Sequence, residues 1–315
     1  MIRIAAAQDS PVYLDASATT ERAVGWIEEA ATQSVSILAF GETFLPGYPF
    51  WLSETGGAEF ESDVQKQAYA AYVEAAVTVD GTEVAELCAT SNATGVAVII
   101  GIAERSTSRG SVYATALVID PERGVLGAHR KLVPTYEERL VWAAGDGHGL
   151  RVHTLAGIRV SVLNCWENWM PLARHALYAQ GTQLHVGIWP GSITNTRDIT
   201  RFVAREGRVY MLSASTVLHH TDLDPGRFEL LDRIDDRAST GGWISDGGSA
   251  IASPDGNWVV EPVVEERRLV VGEIDPDFAM GERQNFDPAG HYGRPDVFDV
   301  RIDRTRREPA TFSEE

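Results

Sequence analysis

A chain of 315 residues, 44% of them hydrophobic, can bury a substantial core, which excludes disorder over most of its length. A formal charge of −18 repels phosphate backbones and anionic lipid surfaces, and neither short basic cluster, His129-Arg130-Lys131 or the tail around Arg304, Arg306 and Arg307, offsets it, so no nucleic acid or membrane partner is expected. No apolar run approaches the roughly 18 to 20 residues that span a bilayer, and the opening MIRIAAAQDS lacks a signal peptide's apolar stretch, so a cytoplasmic location is expected.

In chain order, Asp15 can cap a helix carrying Val24, Ile27 and Ala31, and the apolar run 35–40 reads as a strand buried on both faces. Residues 44–62 resist a regular assignment. Thr82 can cap a helix carrying Val84, Leu87 and Cys88, and the glycine-bounded run 95–101 reads as the next strand. Further strands are expected at 113–120, 159–164, 184–188, 210–217, 249–253 and 269–274, with helices near 168–180 and 197–207. Asp255-Gly256 marks a hairpin turn before Trp258, and 221–242 is a second irregular stretch, a candidate lid, binding loop or subunit contact. The chain begins as βαβ units and acquires hairpins later, the pattern of helices packed around mixed sheets. With no linker, repeat or low-complexity block, residues 1–300 are expected to form a single domain, followed by a short tail, 301–315.

Two cysteines cannot build a disulfide framework, so each needs its own account. Cys88 shares a helical face with Val84 and Leu87 and reads as a small core residue. Cys165 follows a strand and precedes a helix opened by Asn168-Trp169-Met170-Pro171, where free N–H groups and the helix dipole would favour a thiolate. A cysteine nucleophile needs a base, and none of the eight histidines carries a local signature. His219-His220 with Asp222 and Asp224 has metal-ligating residue types, but adjacent histidines on a strand point to opposite faces, so no metal is expected. Glu42 and Lys131 each sit at or just beyond a strand end, where sites form in open α/β sheets. Brought to Cys165 they would supply a proton acceptor and a cation; taken singly, each is more often half of a surface ion pair.

The words around these residues decide between those readings. GETFLPGYP (41–49), HRKLVPTYEER (129–139) and NCWEN (164–168) resemble the three signature segments of the nitrilase superfamily, in its order and at its approximate separations. WAAGDG (142–147), WPG (189–191) and DPAGHYGRPD (287–296) resemble the true nitrilase branch, and the likeness runs from about Ile4 to Val300. The resemblance implies a four-layer αββα sandwich, a catalytic triad of Glu42, Lys131 and Cys165, an additional carboxylate at Glu138, and no cofactor. It also implies hydrolysis of a small nitrile by water through a thioimidate and a thioester, in a homodimer or larger homo-oligomer; the short tail argues against long filaments. Tyr48, Trp166 and Trp189, beside the signature segments, are candidate walls of an apolar substrate pocket. The competing expectations are an amidase or carbamoyl hydrolase with the same trio, a cyanide dihydratase, and a non-catalytic scaffold that has kept the fold.

Overall fold

The computed structural model describes residues 1–106, 110–224, 241–307 and 310. The first half runs β1 (Ile2–Gln8), α1 (Ala16–Thr32), β2 (Ile37–Ala39), then α2 (Trp51–Glu54), α3 (Asp63–Ala75) and α4 (Thr82–Thr94), and closes with β3 (Ala97–Arg105), β4 (Val112–Asp120) and β5 (Gly124–Arg130). The second half runs β6 (His153–Leu155), β7 (Ile158–Asn164), α5 (Pro171–Tyr178), β8 (Leu184–Trp189), α6 (Ile193–Gly207), β9 (Tyr210–Ser215) and β10 (Val217–His219), followed by β11 (Trp243–Ala252) and β12 (Trp258–Val264). Strand β13 (Arg268–Ile274) returns to the first sheet before α7 (Pro276–Glu282).

Each half is a sheet with a parallel centre. The first has the order β13-β1-β2-β3-β4-β5, with β1, β2 and β3 parallel and the rest antiparallel. In the second, β7, β8 and β9 are parallel, β6 is an edge, and the long β11 pairs β9 and β10 along one side and β12 along the other. Strand alternation builds the layers. On β1, Ile4 and Ala6 face Val160, Val186, Ile188 and Leu212 of the second sheet, while Ala5 and Ala7 face Ala23, Ile27 and Ala30 of α1. On the outer side of the second sheet, Leu163 packs on Ala173 and Leu177 of α5, and Met211 packs on Ile199 and Val203 of α6. The result is the αββα sandwich that the resemblance implies.

Several local expectations are revised. Asp15 does cap α1, accepting from Ala18 N at 2.9 Å, but the buried stripe is Ala23, Ile27 and Ala30 rather than Val24, Ile27 and Ala31. Gly81, not Thr82, is the N-cap of α4, and Cys88 is half-buried against the adjoining core. Strand β1 carries no strong strand propensity, since three of its seven residues are alanine, and α3 hides because its buried face is only Ala68 and Tyr72. Within 44–62 the chain forms α2 and a parallel bridge from Leu45 to Ile102; of the second irregular stretch, 225–240 lies outside the described residues. The histidine pair departs from strand geometry because β10 ends at His219, so the two rings pack on each other at 4.3 Å instead of pointing to opposite faces. No helix among the described residues is long and apolar enough to cross a membrane.

Candidate active site

Three strands deliver the central groups from their carboxyl ends: β2 leads to Glu42, β5 to Lys131 and β7 to Cys165. Close backbone approach fixes the first. A side chain on Gly41 would stand 2.6 Å from Trp189 O, and one on Gly101 would stand 2.4 Å from Gly41 O, so both positions require glycine for the Glu42 turn to lie against β3 and β8. Glu42 N then donates to Trp189 O at 3.1 Å. Cys165 opens a 3₁₀ turn (Cys165–Trp169) with φ +48°, a left-handed backbone that costs a non-glycine residue about 1–2 kcal/mol and turns the thiol away from the line of β7.

The four predicted chemical groups meet in one buried cluster. Lys131 Nζ lies 2.9 Å from Glu42 Oε1 and donates to Glu138 Oε2 at 2.6 Å. A carboxylate oxygen of Glu42, one of Glu138 and Cys165 Sγ all lie within 4.8 Å of one another. That set has the donors of a metal site, but the ammonium of Lys131 already occupies the position between the two carboxylates. Glu138 is held three ways: its Oε2 also accepts from Thr135 N at 2.6 Å, and its Oε1 accepts from Tyr48 OH at 2.9 Å.

Burial and these neighbours set the protonation states. Burial pushes Glu42 up to about 8; Lys131 opposes the shift and Glu138 adds to it. Burial alone would draw the proton off Lys131, but the charges of Glu42, Cys165 and Glu138 outweigh it and hold the ammonium firmly protonated. Burial pushes the Cys165 thiol well up, against the pull of Lys131 and the Trp166 N–H, with Glu42 and Glu138 adding to the rise. This corrects the expectation of a dipole-stabilised thiolate: α5 begins only at Pro171, so Cys165 is not at its first turn, and two carboxylates face the sulfur. The arrangement holds a neutral thiol beside a carboxyl group that exchanges its proton near neutrality, next to a fixed cation.

The aromatic candidates separate. Tyr48 belongs to the cluster through Glu138, its ring edge-on to Trp142 at 5.4 Å. The Trp166 ring is 50% exposed and lies against Trp169, so its backbone N–H rather than its ring reaches the sulfur. Trp189 is fully buried in the cluster of Cys165, Ile199, Val203 and Met211, with Nε1 donating to Ser213 Oγ at 3.3 Å; it is core beneath the nucleophile rather than the wall of an open pocket. The 287–296 stretch lies beside His175 of α5, with Tyr292 exposed at the surface.

Three contributors went unread in the sequence. Trp142 presents its ring face to Lys131 Nζ at 5.4 Å, sheltering a buried cation. Asn168 donates to Cys165 O at 2.8 Å and accepts from His185 Nε2 at 2.9 Å; burial pushes His185 down to about 3, so the ring is neutral and its other nitrogen accepts from Ser161 Oγ at 2.7 Å. Glu167 is fully buried; it accepts from Asn164 N at 2.9 Å and from Leu132 N, and lies 3.0 Å from His129 Nε2. Glutamate three residues after asparagine, N-x-x-E at 164–167, was the available signal, since that spacing is a capping box.

Burial raises the Glu167 pKa, but His129 and the two backbone amides outweigh it and leave the carboxyl below its ordinary value. Its stabilising effect is therefore fully present above the unfolded glutamate pKa of about 4.3 and fades as pH falls through the depressed folded value. Glu167→Gln cannot accept at both amides and leaves His129 without its anion. We expect it to lose about 3 kcal/mol of unfolding free energy in urea at pH 7, with the difference from wild type shrinking below pH 4. An equal loss at both pH values would show that the charge plays no part.

Comparison with known proteins places this geometry. The family model described as carbon–nitrogen hydrolase matches residues 3–280. The chain is 39% identical over 313 residues to "Nitrilase 2" of an unknown prokaryotic organism, covering 99% of this chain and 95% of that protein. It is 31% identical over 324 residues to an "Aliphatic nitrilase" of Rhodococcus rhodochrous, covering 99% and 82%. In three dimensions it resembles a carbon–nitrogen hydrolase from Helicobacter pylori at TM-score 0.70 and 18% identity, covering 94% of this chain and 96% of that one.

Proposed function

Since the chain belongs to the carbon–nitrogen hydrolase family, and the relatives it matches at 30–39% identity are named nitrilases, we propose that it hydrolyses an organic nitrile to the carboxylic acid and ammonia through covalent intermediates on Cys165. The observation that carries the reading is the buried contact of Glu42, Lys131 and Glu138 around a single thiol.

In this scheme Glu42 takes the Sγ proton as the sulfur adds to the nitrile carbon, and the nitrogen gains a proton to give a thioimidate. Water adds to the thioimidate carbon, ammonia leaves with the second and third protons, and a thioester remains. A second water, deprotonated by Glu42 and positioned by Glu138, displaces the sulfur, releasing the acid and restoring the thiol. Lys131 and the Trp166 N–H stabilise the negative charge of each tetrahedral intermediate. Tyr48, anchored on Glu138, lines the approach to the sulfur.

Parallel incubation with nitriles and with the corresponding amides, measuring ammonia and acid, tests the substrate class. Nitrile turnover supports the proposal; release of ammonia from amides alone makes the protein an amidase with the same cluster, and inactivity on both leaves a cyanide dihydratase or a scaffold, which adding cyanide and measuring formamide separates. The pH profile tests the base. Glu42 is protonated below about pH 8 and ionised above it, and only the ionised form accepts the thiol proton, so kcat/KM rises with pH along a limb centred near 8. A profile already flat at pH 6 would remove Glu42 from this role.

We also read the protein as a homodimer. Leu172 of α5, Phe202 of α6 and the adjoining Trp166 and Trp169 form an exposed apolar face, with Trp169 stacked on Phe202 at 6.3 Å. Light scattering that finds only monomer would exclude this assembly.

A further inference from the structure

A cavity of about 270 Å³ lies at the open edge of the sandwich, where β5 of the first sheet comes near β6 and β7 of the second and the loop 148–151 closes one side. It is smaller than the roughly 300–1,000 Å³ that holds a drug-sized ligand. Val118, Leu126 and Val162 supply an apolar wall, and His129, His148, Arg151 and His153 supply the polar one. On a chain of net charge −18, every chargeable side chain lining this cavity is a base.

Arg151, the permanent cation of the lining, is not already neutralised, whereas His129 is paired with Glu167 and His148 Nδ1 is engaged by Arg304 O. Arg151 forms no ion pair among the described residues, and its Nε donates to His148 O at 2.9 Å. His153 is half-buried; burial, then Arg151 and Arg123, disfavours its protonation, and it faces cations. His129 is 2% exposed, with Nε2 engaged by Glu167 and Nδ1 buried without a hydrogen-bond partner among the described residues. That nitrogen faces the cavity wall at Gly149, where a Cβ would stand 2.6 Å away.

We infer that this cavity binds a small organic carboxylate, its anionic end at Arg151 and the histidines and its hydrocarbon part on Val118, Leu126 and Val162. The shape and charge match favours a carboxylate with an apolar tail over an inorganic oxyanion, which has nothing to place on the valines and leucine. The site is separate from the Cys165 cluster but mechanically joined to it. A ligand that engages His129 changes the ring's hold on Glu167, and Glu167 holds the amides of Leu132 and Asn164, the immediate neighbours of Lys131 and Cys165. Since the product under the proposed function is itself a carboxylate, the site gives that product a second place to act.

Binding is tested without turnover, so its failure is distinct from failure of the nitrilase reading. Butyrate titrated into the Cys165→Ala chain, followed by calorimetry and by histidine ring NMR, should bind once per chain and move ring resonances that His129→Gln removes. Arg151→Gln should weaken butyrate by roughly tenfold or more while basal nitrile turnover in the otherwise wild-type chain persists. His153→Gln, a second variant in case the first unfolds, should weaken it as well. Unchanged affinity in both folded variants overturns the proposal, as does binding of n-butanol equal to butyrate. Tighter binding of inorganic phosphate than of butyrate overturns the carboxylate assignment.

Discussion

Cys165→Ala should abolish hydrolysis, lowering kcat by about 10⁵-fold or more, because every proposed bond-making step passes through the sulfur. The alanine keeps the Cβ and removes one buried atom, so its unfolding free energy should stay within about 1 kcal/mol of wild type. Denaturation in urea and ammonia release on the same preparation separate the two effects. Rapid acid quench of the wild type during turnover, followed by mass spectrometry of the peptide containing Cys165, should reveal an added acyl group that the variant lacks. Measurable turnover by the alanine variant, or an acyl group attached elsewhere, would end the covalent scheme.

Lys131→Met should be the most damaging substitution to stability and activity together. Methionine preserves length and apolar stem but leaves Glu42 and Glu138 facing one another, both within 3 % exposure of full burial, with no cation between them. The folded pKa of Glu42 then rises further above the unfolded value. The sign follows: the native state binds a proton that the unfolded state has released, so the variant is least impaired below about pH 4.3 and loses stability as pH rises through the folded value. We expect a deficit of about 3–5 kcal/mol at pH 8.5 and a much smaller one at pH 5, read from urea midpoints. Turnover at pH 8 should fall by about 10³-fold through loss of charge stabilisation. A deficit that is the same at both pH values would mean that packing, not charge, is what Lys131 contributes.

The strands with continuous branched residues, such as Ala97–Arg105 and Leu184–Trp189, were legible because burial on both faces leaves an uninterrupted apolar run. Ile2–Gln8 was not, because alanine satisfies a tightly spaced inner layer without advertising a strand. Position marked Cys165, Glu42 and Lys131 as candidates, but only the words around them joined the three and added Glu138; nothing in periodicity brings strands β2, β5 and β7 to a common end, since that depends on long-range pairing. The protonation state of the sulfur was misjudged for a related reason: local position at a strand–helix junction indicated a thiolate, whereas burial, reinforced by two carboxylates distant in sequence, reverses the balance. Trp166 and Trp189 show the opposite limit, because adjacency to a motif does not say which way a ring turns.

Glu167 gives the molecule a seam. Leu132 follows a strand of one sheet and Asn164 ends a strand of the other, and a single anion grips both backbones at the end where the reactive groups gather. The two halves cannot spread apart there without stranding that charge in an apolar interior.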